Sequence, residues 1–221
     1  MFKKVLIAED IDSINLGLIN TLSKAYDFEI EHAKYCDDAY LKIKKGILKN
    51  SPFDLLITDL SFKQDHRQSK IESGDKLVAK IKLEQPDIAV IMYSIEDRPH
   101  MIKSFFDTIF INGYVCKGRN STNEMVTAIE TVYNKEQYIP ANLKHAIKET
   151  KNLEIEDYDI LLLDALSQGN SQDEIRKKFK SEGITPCSVS TIEKRISSLR
   201  ISFKAKNATH LVAIAKDLGL I

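Results

Sequence analysis

The sequence has few cysteines, no long apolar run and no net charge. Its three cysteines, Cys36, Cys116 and Cys187, are scattered, with neither a CxxC pair nor a nearby histidine. This spacing favours neither a disulfide framework nor a zinc site. Cys116 lies inside an apolar run and is predicted to be a small buried hydrophobe.

No stretch approaches the about 18 uninterrupted apolar residues that a membrane helix needs. The N-terminal run MFKKVLIAEDID meets Glu and Asp too early for a signal peptide. We therefore predict a soluble, cytoplasmic protein with no membrane partner. Basic and acidic residues both number 32, so any affinity for nucleic acid must come from charges that are segregated along the chain.

The 221 residues, 43% of them hydrophobic, are enough for two domains with real cores. Up to about Tyr133, short β-rich runs alternate with amphipathic helical patterns. The predicted strands are 5–8, 28–32, 53–58, 88–93 and 114–116, and the predicted helices are 14–25, 39–48, 74–84, 101–110 and 123–133. Asp12 is the expected N-cap of the first helix. This alternation predicts an α/β fold, a five-stranded, doubly wound parallel sheet covered on both faces.

The composition changes after that point. We predict a first domain over residues 1–136, a linker with a short helix over 137–152, and a small all-α domain over 153–221. Its predicted helices are 157–166, 171–179, 186–203 and 208–218. Thr185 as N-cap and Pro186 at the first helical position are expected to start the third of these helices.

Polar residues follow four of the predicted strands: Glu9 and Asp10, Asp59, Ser94, and Lys117. The carboxyl ends of parallel strands converge on one crevice. Clustered carboxylates repel one another unless a cation lies among them, and Mg²⁺ suits such oxygen ligands. An ammonium can then offset phosphate charge, and a hydroxyl can donate a hydrogen bond to a phosphoryl oxygen. Each carboxylate alone could equally cap a helix or face solvent.

The runs VLIAED, DLLITDL, MYS and GYVCKG occur in this order over about residues 3–135, and they strongly resemble the receiver domain of two-component response regulators. This flavodoxin-like domain is switched by phosphorylation. The resemblance implies that Asp59 is the phosphoacceptor. It also implies that Asp10, Asp59 and the backbone carbonyl of Ser61 bind Mg²⁺, and that Glu9 holds a metal-bound water.

The same resemblance implies that Ser94 and Lys117 sense the phosphoryl group. Tyr114 corresponds to the switch aromatic that moves inward with Ser94, although it could also be a plain core aromatic. Two features depart from the receiver pattern. A charged insertion, LSFKQDHRQSKIES, separates Asp59 from Gly74, where receivers place Pro and Gly soon after the acceptor, and Gly118 replaces the frequent Pro after Lys117.

In the all-α domain, acidic residues crowd 154–164 and basic residues come later, which predicts a basic face on a neutral domain. Within 186–203, apolar residues at steps of three and four form the predicted buried stripe: Val189, Ile192, Ile196, Leu199 and Phe203. The candidate DNA-contacting residues are Ser190, Thr191, Lys194, Arg195, Ser198 and Lys204. A solvated face of a protein-interaction bundle would give the same pattern.

ALSQGNSQDEIRKKF followed by STIEKRISSL resembles the LuxR-type helix-turn-helix, so the whole chain resembles a NarL/FixJ-type response regulator. The resemblance implies a transcription factor that a sensor histidine kinase phosphorylates, that dimerises and that binds double-stranded DNA, and it implies no metabolic enzyme. Two alternatives stay open. One is a phosphatase of the haloacid dehalogenase class with Asp10 as nucleophile, and the other is a receiver with a protein-binding output module.

Overall fold

Five parallel strands in the order β2-β1-β3-β4-β5 form the centre of the first half of the chain. The computed structural model describes residues 1–63, 67, 69–141, 143–144 and 155–221. The strands are β1 Lys4–Ala8, β2 Glu29–Ala33, β3 Leu55–Thr58, β4 Ala89–Ser94 and β5 Gly113–Cys116. The helices between them are α1 Asp12–Ala25, α2 Cys36–Leu48, α3 Gly74–Glu84, α4 Pro99–Thr108 and α5 Ser121–Tyr133. The predicted five-stranded, doubly wound parallel sheet is confirmed.

The central strands are apolar because both faces of the sheet are covered. Every residue of β3 is buried, as is β1 beyond Lys4, and such runs are typical of parallel sheets under two helical layers. α1 and α5 pack on one face, where Leu18, Leu22 and Ile129 join the strand residues in one core. Burying each such side chain contributes about 1.5–3 kcal/mol.

Four helices form the described residues 155–221 of the second unit: α6 Asp157–Ser167, α7 Gln172–Ser181, α8 Val189–Ser202 and α9 Ala208–Asp217. Their apolar faces meet in one core that includes Leu162, Ile175, Phe179 and Leu211. Ser171 caps α7 and forms a capping box with Glu174, which satisfies backbone donors at the start of the helix. The predicted small all-α domain is confirmed.

Two predicted N-cap residues are wrong. α1 has Ile11 at its N-cap without a side-chain cap, and Asp12 lies in the first turn, where its carboxylate pairs with Lys34 at 2.7 Å. α8 begins at Val189 rather than Pro186, because the hydroxyl of Ser188 accepts the N–H of Thr191 at 3.2 Å. The serine supplies the cap that sequence analysis assigned to Thr185.

The predicted linker begins inside the fold of the first unit. Tyr138 pairs with Gly113 in a parallel bridge at the outer edge of β5, and Pro140 and Leu143 are buried. Most of the rest of 137–152, including the body of the expected short helix, lies outside the described residues. Within the described residues, no helix combines the length and the apolar character needed to cross a bilayer.

Candidate functional site

Three carboxylates meet at the carboxyl end of the sheet. Glu9 and Asp10 follow β1 and Asp59 follows β3, and one oxygen of each lies within 4.8 Å of the others. The strands are paired in register up to Ala8 and Thr58, which places Glu9 beside Asp59. Glu9 is only 1% exposed and Asp59 only 6%. The sequence prediction that these residues converge is confirmed.

Lys117, which follows β5, reaches across the cluster. Its Nζ lies 2.7 Å from Asp59 Oδ2 and 2.8 Å from Glu9 Oε2. Burial works to lower the pKa of Lys117, but its interactions with the carboxylates of Asp59 and Glu9 together outweigh burial and raise the pKa above the ordinary value. Burial is also the largest cause acting on Glu9, and it raises the pKa of that carboxyl despite Lys117. One ammonium is therefore shared between two of the three acids, Glu9 and Asp59.

This set of donors fits a hard divalent cation. All of the donors are oxygens, and the negative charge exceeds the positive. Glu9 Oε1 accepts the N–H of Ile11 at 3.1 Å. Glu9 Oε2 is buried and, within the described part of the chain, accepts no hydrogen bond, so its ion pair with Lys117 is what offsets its charge. A cation among the three acids would offset the remaining charge.

Ser61, the predicted carbonyl ligand, lies two residues past Asp59 and forms an antiparallel bridge with Ser73. The N–H of Gly74 donates to the carbonyl of Leu60 at 2.8 Å. These pairings close the segment 62–72 at its base. A side chain at position 74 would overlap the backbone oxygen of Asp59, so Gly74 permits this close approach. The long separation of Gly74 from Asp59 departs from the receiver pattern, and the sequence alone gives no sign of this contact.

The described residues of the 62–72 segment are tied to the acidic end of the sheet. The N–H of Lys63 donates to Asp10 Oδ2 at 2.9 Å. Arg67 forms two hydrogen bonds with Asp38, at 2.7 and 3.0 Å, and its guanidinium lies 4.6 Å from the ring centre of Tyr35. The N–H of Lys70 donates to Asp37 at 2.9 Å. Arg67 and Lys70 therefore lie along the first turn of α2.

Ser94 and Tyr114 lie behind the cluster. Ser94 ends β4, is fully buried, and accepts the N–H of Glu96 at 3.4 Å. The hydroxyl of Tyr114 donates to the carbonyl of Glu96 at 2.7 Å, and its ring stacks on Phe105 with centres 6.5 Å apart. Burial raises the pKa of Tyr114 above its ordinary range. The ring that was expected to move inward on phosphorylation is already fully buried in this state.

The predicted DNA-contacting residues divide into two groups. Ser190, Lys194, Ser198 and Lys204 are exposed and Thr191 is half-buried. Lys204 lies just beyond the end of α8. Arg176, Lys177 and Lys180 on α7 are also exposed. The stripe of Ile192, Ile196, Leu199 and Phe203 is buried as predicted, whereas Val189 is only half-buried.

Arg195 was predicted to contact DNA from the outward face of α8, but its side chain is only 30% exposed and is turned towards α6. Its guanidinium donates to both carboxylate oxygens of Asp159, with Nη2 at 2.6 Å from Oδ2, and Asp159 is fully buried at the start of α6. A buried carboxylate needs such a partner. The helical spacing of α8 could not reveal it, because the partner lies 36 residues away on another helix.

Comparison with known proteins finds no matching family model and no matching curated protein. Solved structures do match. A structure of the RcsB response regulator of Salmonella typhimurium aligns over 97% of this chain and 99% of its own length, with 19% identity and a TM-score of 0.70. A structure of two RcsB dimers bound to two parallel DNAs covers 98% of both chains, with 20% identity and a TM-score of 0.66.

A two-component response regulator of the LuxR family from Aurantimonas sp. SI85-9A1 aligns over 69% of this chain and 100% of its own, with 14% identity and a TM-score of 0.59. At sequence identities of 14% to 20%, the similarity shows that the fold is shared. This chain shares the fold of the RcsB structures over nearly its whole length and that of the Aurantimonas structure over 69% of it.

Proposed function

We propose that this chain is a DNA-binding transcriptional response regulator of the NarL/FixJ type, switched by Mg²⁺-dependent phosphorylation of Asp59. The observation that carries the proposal is the meeting of Glu9, Asp10, Asp59 and Lys117 at the end of the sheet. The fold shared with RcsB, a two-component response regulator whose structure is known in complex with DNA, supports it.

Asp59 is the proposed acceptor. One carboxylate oxygen of Asp59 would attack the phosphorus of a phosphohistidine on a sensor kinase. The P–N bond to the donor breaks, and an acyl phosphate forms on Asp59. Asp10, Asp59 and the carbonyl of Ser61 would hold Mg²⁺, with Glu9 acting through a bound water. Bound there, the cation would offset the charge of the carboxylates and of the phosphoryl oxygens.

Lys117 and Ser94 are the proposed sensing residues. Once a phosphoryl group occupies Asp59, the ammonium of Lys117 can pair with a phosphoryl oxygen in place of Asp59 Oδ2, from which it now lies 2.7 Å away. The Ser94 hydroxyl can donate to a second oxygen while it still accepts the N–H of Glu96. Tyr114 lies in β5 and Lys117 directly follows that strand, so a shift of Lys117 would be passed to Tyr114 along β5.

The helical unit is the proposed DNA-binding module. Lys194, Ser190 and Ser198 are exposed on α8, which we propose as the recognition helix, and the exposed cations of α7 would contact phosphates. Thr191 and Lys204 complete the proposed set, and Arg195 is left out of it because of its bond to Asp159. A single helical unit makes few base contacts, so we propose that phosphorylation promotes a dimer that spans two half-sites.

The acceptor assignment is tested with the whole protein, a small phosphodonor such as acetyl phosphate, and Mg²⁺. Intact mass should show the gain of one phosphate. Asp59→Asn should abolish the gain, and Asp87→Asn, which alters an exposed carboxylate, should leave it unchanged. A full gain in Asp59→Asn would overturn the assignment. Beryllofluoride binding controls for an acyl phosphate that hydrolyses too quickly to be seen.

The output is tested by footprinting on genomic DNA of the source organism, with and without phosphorylation. Lys194→Ala should weaken binding and flatten the slope of log K against log salt by about 0.9 for one lost phosphate contact. Salt-insensitive binding, or none, would favour the alternative of a protein-binding output module. Sedimentation of the beryllofluoride-treated protein should show more dimer than the untreated protein.

The phosphatase alternative with Asp10 as nucleophile gains no support. That class needs a further acidic metal motif on a strand after the lysine. Among the described residues that follow Lys117, the named elements are all helices, and the isolated bridge at Tyr138 carries no acid.

A further inference from the structure

A chain of hydrogen bonds runs from Ser94, at the carboxyl end of β4, to the outer edge of β5. The N–H of Glu96 donates to Ser94 Oγ at 3.4 Å, and the carbonyl of Glu96 accepts the hydroxyl of Tyr114 at 2.7 Å. The backbone N–H of Tyr114 then donates to the carbonyl of Tyr138 at 2.9 Å. Tyr114 therefore contacts the loop behind the cluster with its side chain and the segment after α5 with its backbone.

Tyr138 occupies the edge of β5 that faces away from β4. Its own N–H donates to the carbonyl of Asn112 at 3.0 Å, so two hydrogen bonds enclose Gly113. The approach is close: a Cβ at Gly113 would lie 3.5 Å from Tyr138 Cβ and 3.2 Å from side-chain atoms of Ile91 and Val132. The ring of Tyr138 is half-buried against the core of the first unit.

β5 is thus held in three places. On one side it pairs with β4 over four residues, Gly113 to Cys116. Beyond its carboxyl end, Lys117 pairs with Asp59 and Glu9. On the other side it has the isolated bridge to Tyr138. The bridge is the weakest of the three attachments, because it has two hydrogen bonds and no neighbouring pairs to reinforce it.

We propose that Tyr138 is the positioning residue through which occupancy of the Asp59 pocket reaches the segment that leads to the helical unit. The inference rests on the proposed function and names its internal route. A phosphoryl group adds about two negative charges and draws Lys117 and the Ser94–Glu96 loop towards it. β5 and Tyr114 follow, and the displacement opens the bridge at Tyr138.

Residue-resolved hydrogen exchange on the full chain tests this route. With beryllofluoride and Mg²⁺, the amides of Tyr114 and Tyr138 should exchange about fivefold faster or more, since opening of the bridge exposes both. The amides of Glu29–Ala33 in β2, at the opposite edge, serve as the internal control and should not change. Unchanged or slower exchange at Tyr114 and Tyr138 in a protein that binds beryllofluoride would overturn the route alone. If the protein binds no beryllofluoride, the proposed function is wrong, and the proposed route is wrong with it.

A pair of variants gives the second readout. Tyr138→Pro removes the N–H that donates to Asn112, and Tyr138→Phe keeps both the backbone pairing and the ring. Both should take phosphate on Asp59, as Tyr138 is remote from the acids. Phosphorylation should change DNA affinity equally in Tyr138→Phe and the unaltered protein, and should leave it nearly constant in Tyr138→Pro.

A retained phosphorylation effect in Tyr138→Pro would overturn the proposal. If Tyr138→Pro does not fold, Tyr138→Gly, which keeps the N–H and loses the ring, takes its place. Glycine at position 138 should loosen the bridge. The amide of Tyr114 in the Tyr138→Gly protein should therefore exchange fast even without beryllofluoride. Slow exchange there would count against the proposal.

Discussion

Gly74 lies directly against the backbone carbonyl of Asp59, at a distance that no side chain could share. The two residues are 15 positions apart, and the contact exists because the chain between them leaves and returns at the Ser61 and Ser73 bridge. The geometry around the proposed acceptor therefore depends on a residue that carries no chemistry of its own.

Gly74→Ala is expected to destabilise the protein by about 1–3 kcal/mol, as overpacking does, and to slow phosphorylation because the Asp59 backbone must shift. The matched control is Gly17→Ala in the middle of α1, where an added Cβ meets nothing within 4 Å among the described residues. That change should stabilise by about 0.5–1 kcal/mol, since alanine favours a helix more than glycine does. Urea unfolding measures both. Equal effects of the two changes would contradict the account.

Lys117→Met is expected to lower the free energy of unfolding in metal-free buffer by about 3–5 kcal/mol, because two buried carboxylates lose their shared partner. Mg²⁺ should restore part of the loss, since the cation offsets the same charge. Lys80→Met, at an exposed position of α3, should change little. A Lys117→Met protein as stable as Lys80→Met without Mg²⁺ would show that the ion pairs of Lys117 do not hold the cluster together.

Glu9→Gln tests the sign of the electrostatics in the cluster. Burial raises the pKa of Glu9 in the folded protein above the ordinary 4.5. The stability that the protonated Glu9 carboxyl contributes is therefore fully present below that value, and it is lost as the pH rises through the pKa of the folded state. In metal-free buffer at pH 7, Glu9→Gln should therefore be more stable than the native protein, and the difference should shrink at low pH. It should also show a smaller gain in melting temperature on addition of Mg²⁺. Lower stability at pH 7 would mean that the bond to Lys117 outweighs burial.

Arg195→Ala and Lys194→Ala should separate folding from DNA contact on adjacent residues. Arg195→Ala leaves Asp159 buried without its bidentate partner and should destabilise the helical unit by about 3–5 kcal/mol. Lys194 is exposed, so its replacement should leave the unfolding transition unchanged and weaken only DNA binding. Thermal unfolding and salt titration of DNA affinity, run on both variants, distinguish the roles. Reversed results would return Arg195 to the DNA-contacting set.

The sheet and the acidic cluster could be predicted from the sequence, because both depend on local patterns of apolar and polar residues. Apolar runs place the strands, and a polar residue after each run must lie at the carboxyl edge of a parallel sheet. Contacts between distant residues could not be predicted in this way. The partnership of Arg195 with Asp159 and the approach of Gly74 to Asp59 both arise from tertiary packing, which periodicity does not encode. The start of α8 was missed for a different reason, since Thr185 and Ser188 are both competent caps and the backbone decides between them.

The 62–72 segment is closed at its base by the Ser61 and Ser73 bridge. The length of the segment therefore has little effect on the backbone geometry around Asp59. The entropy of closing a loop grows only with the logarithm of its length, so doubling this excursion would add about 0.6 kcal/mol to its cost. The Ser61 and Ser73 bridge and the contact of Gly74 with Asp59 would remain as they are. The 62–72 segment is therefore a suitable site for inserting additional sequence. A fluorescent label or an epitope inserted there would lie only a few residues along the chain from Asp59 and could report on the acidic cluster.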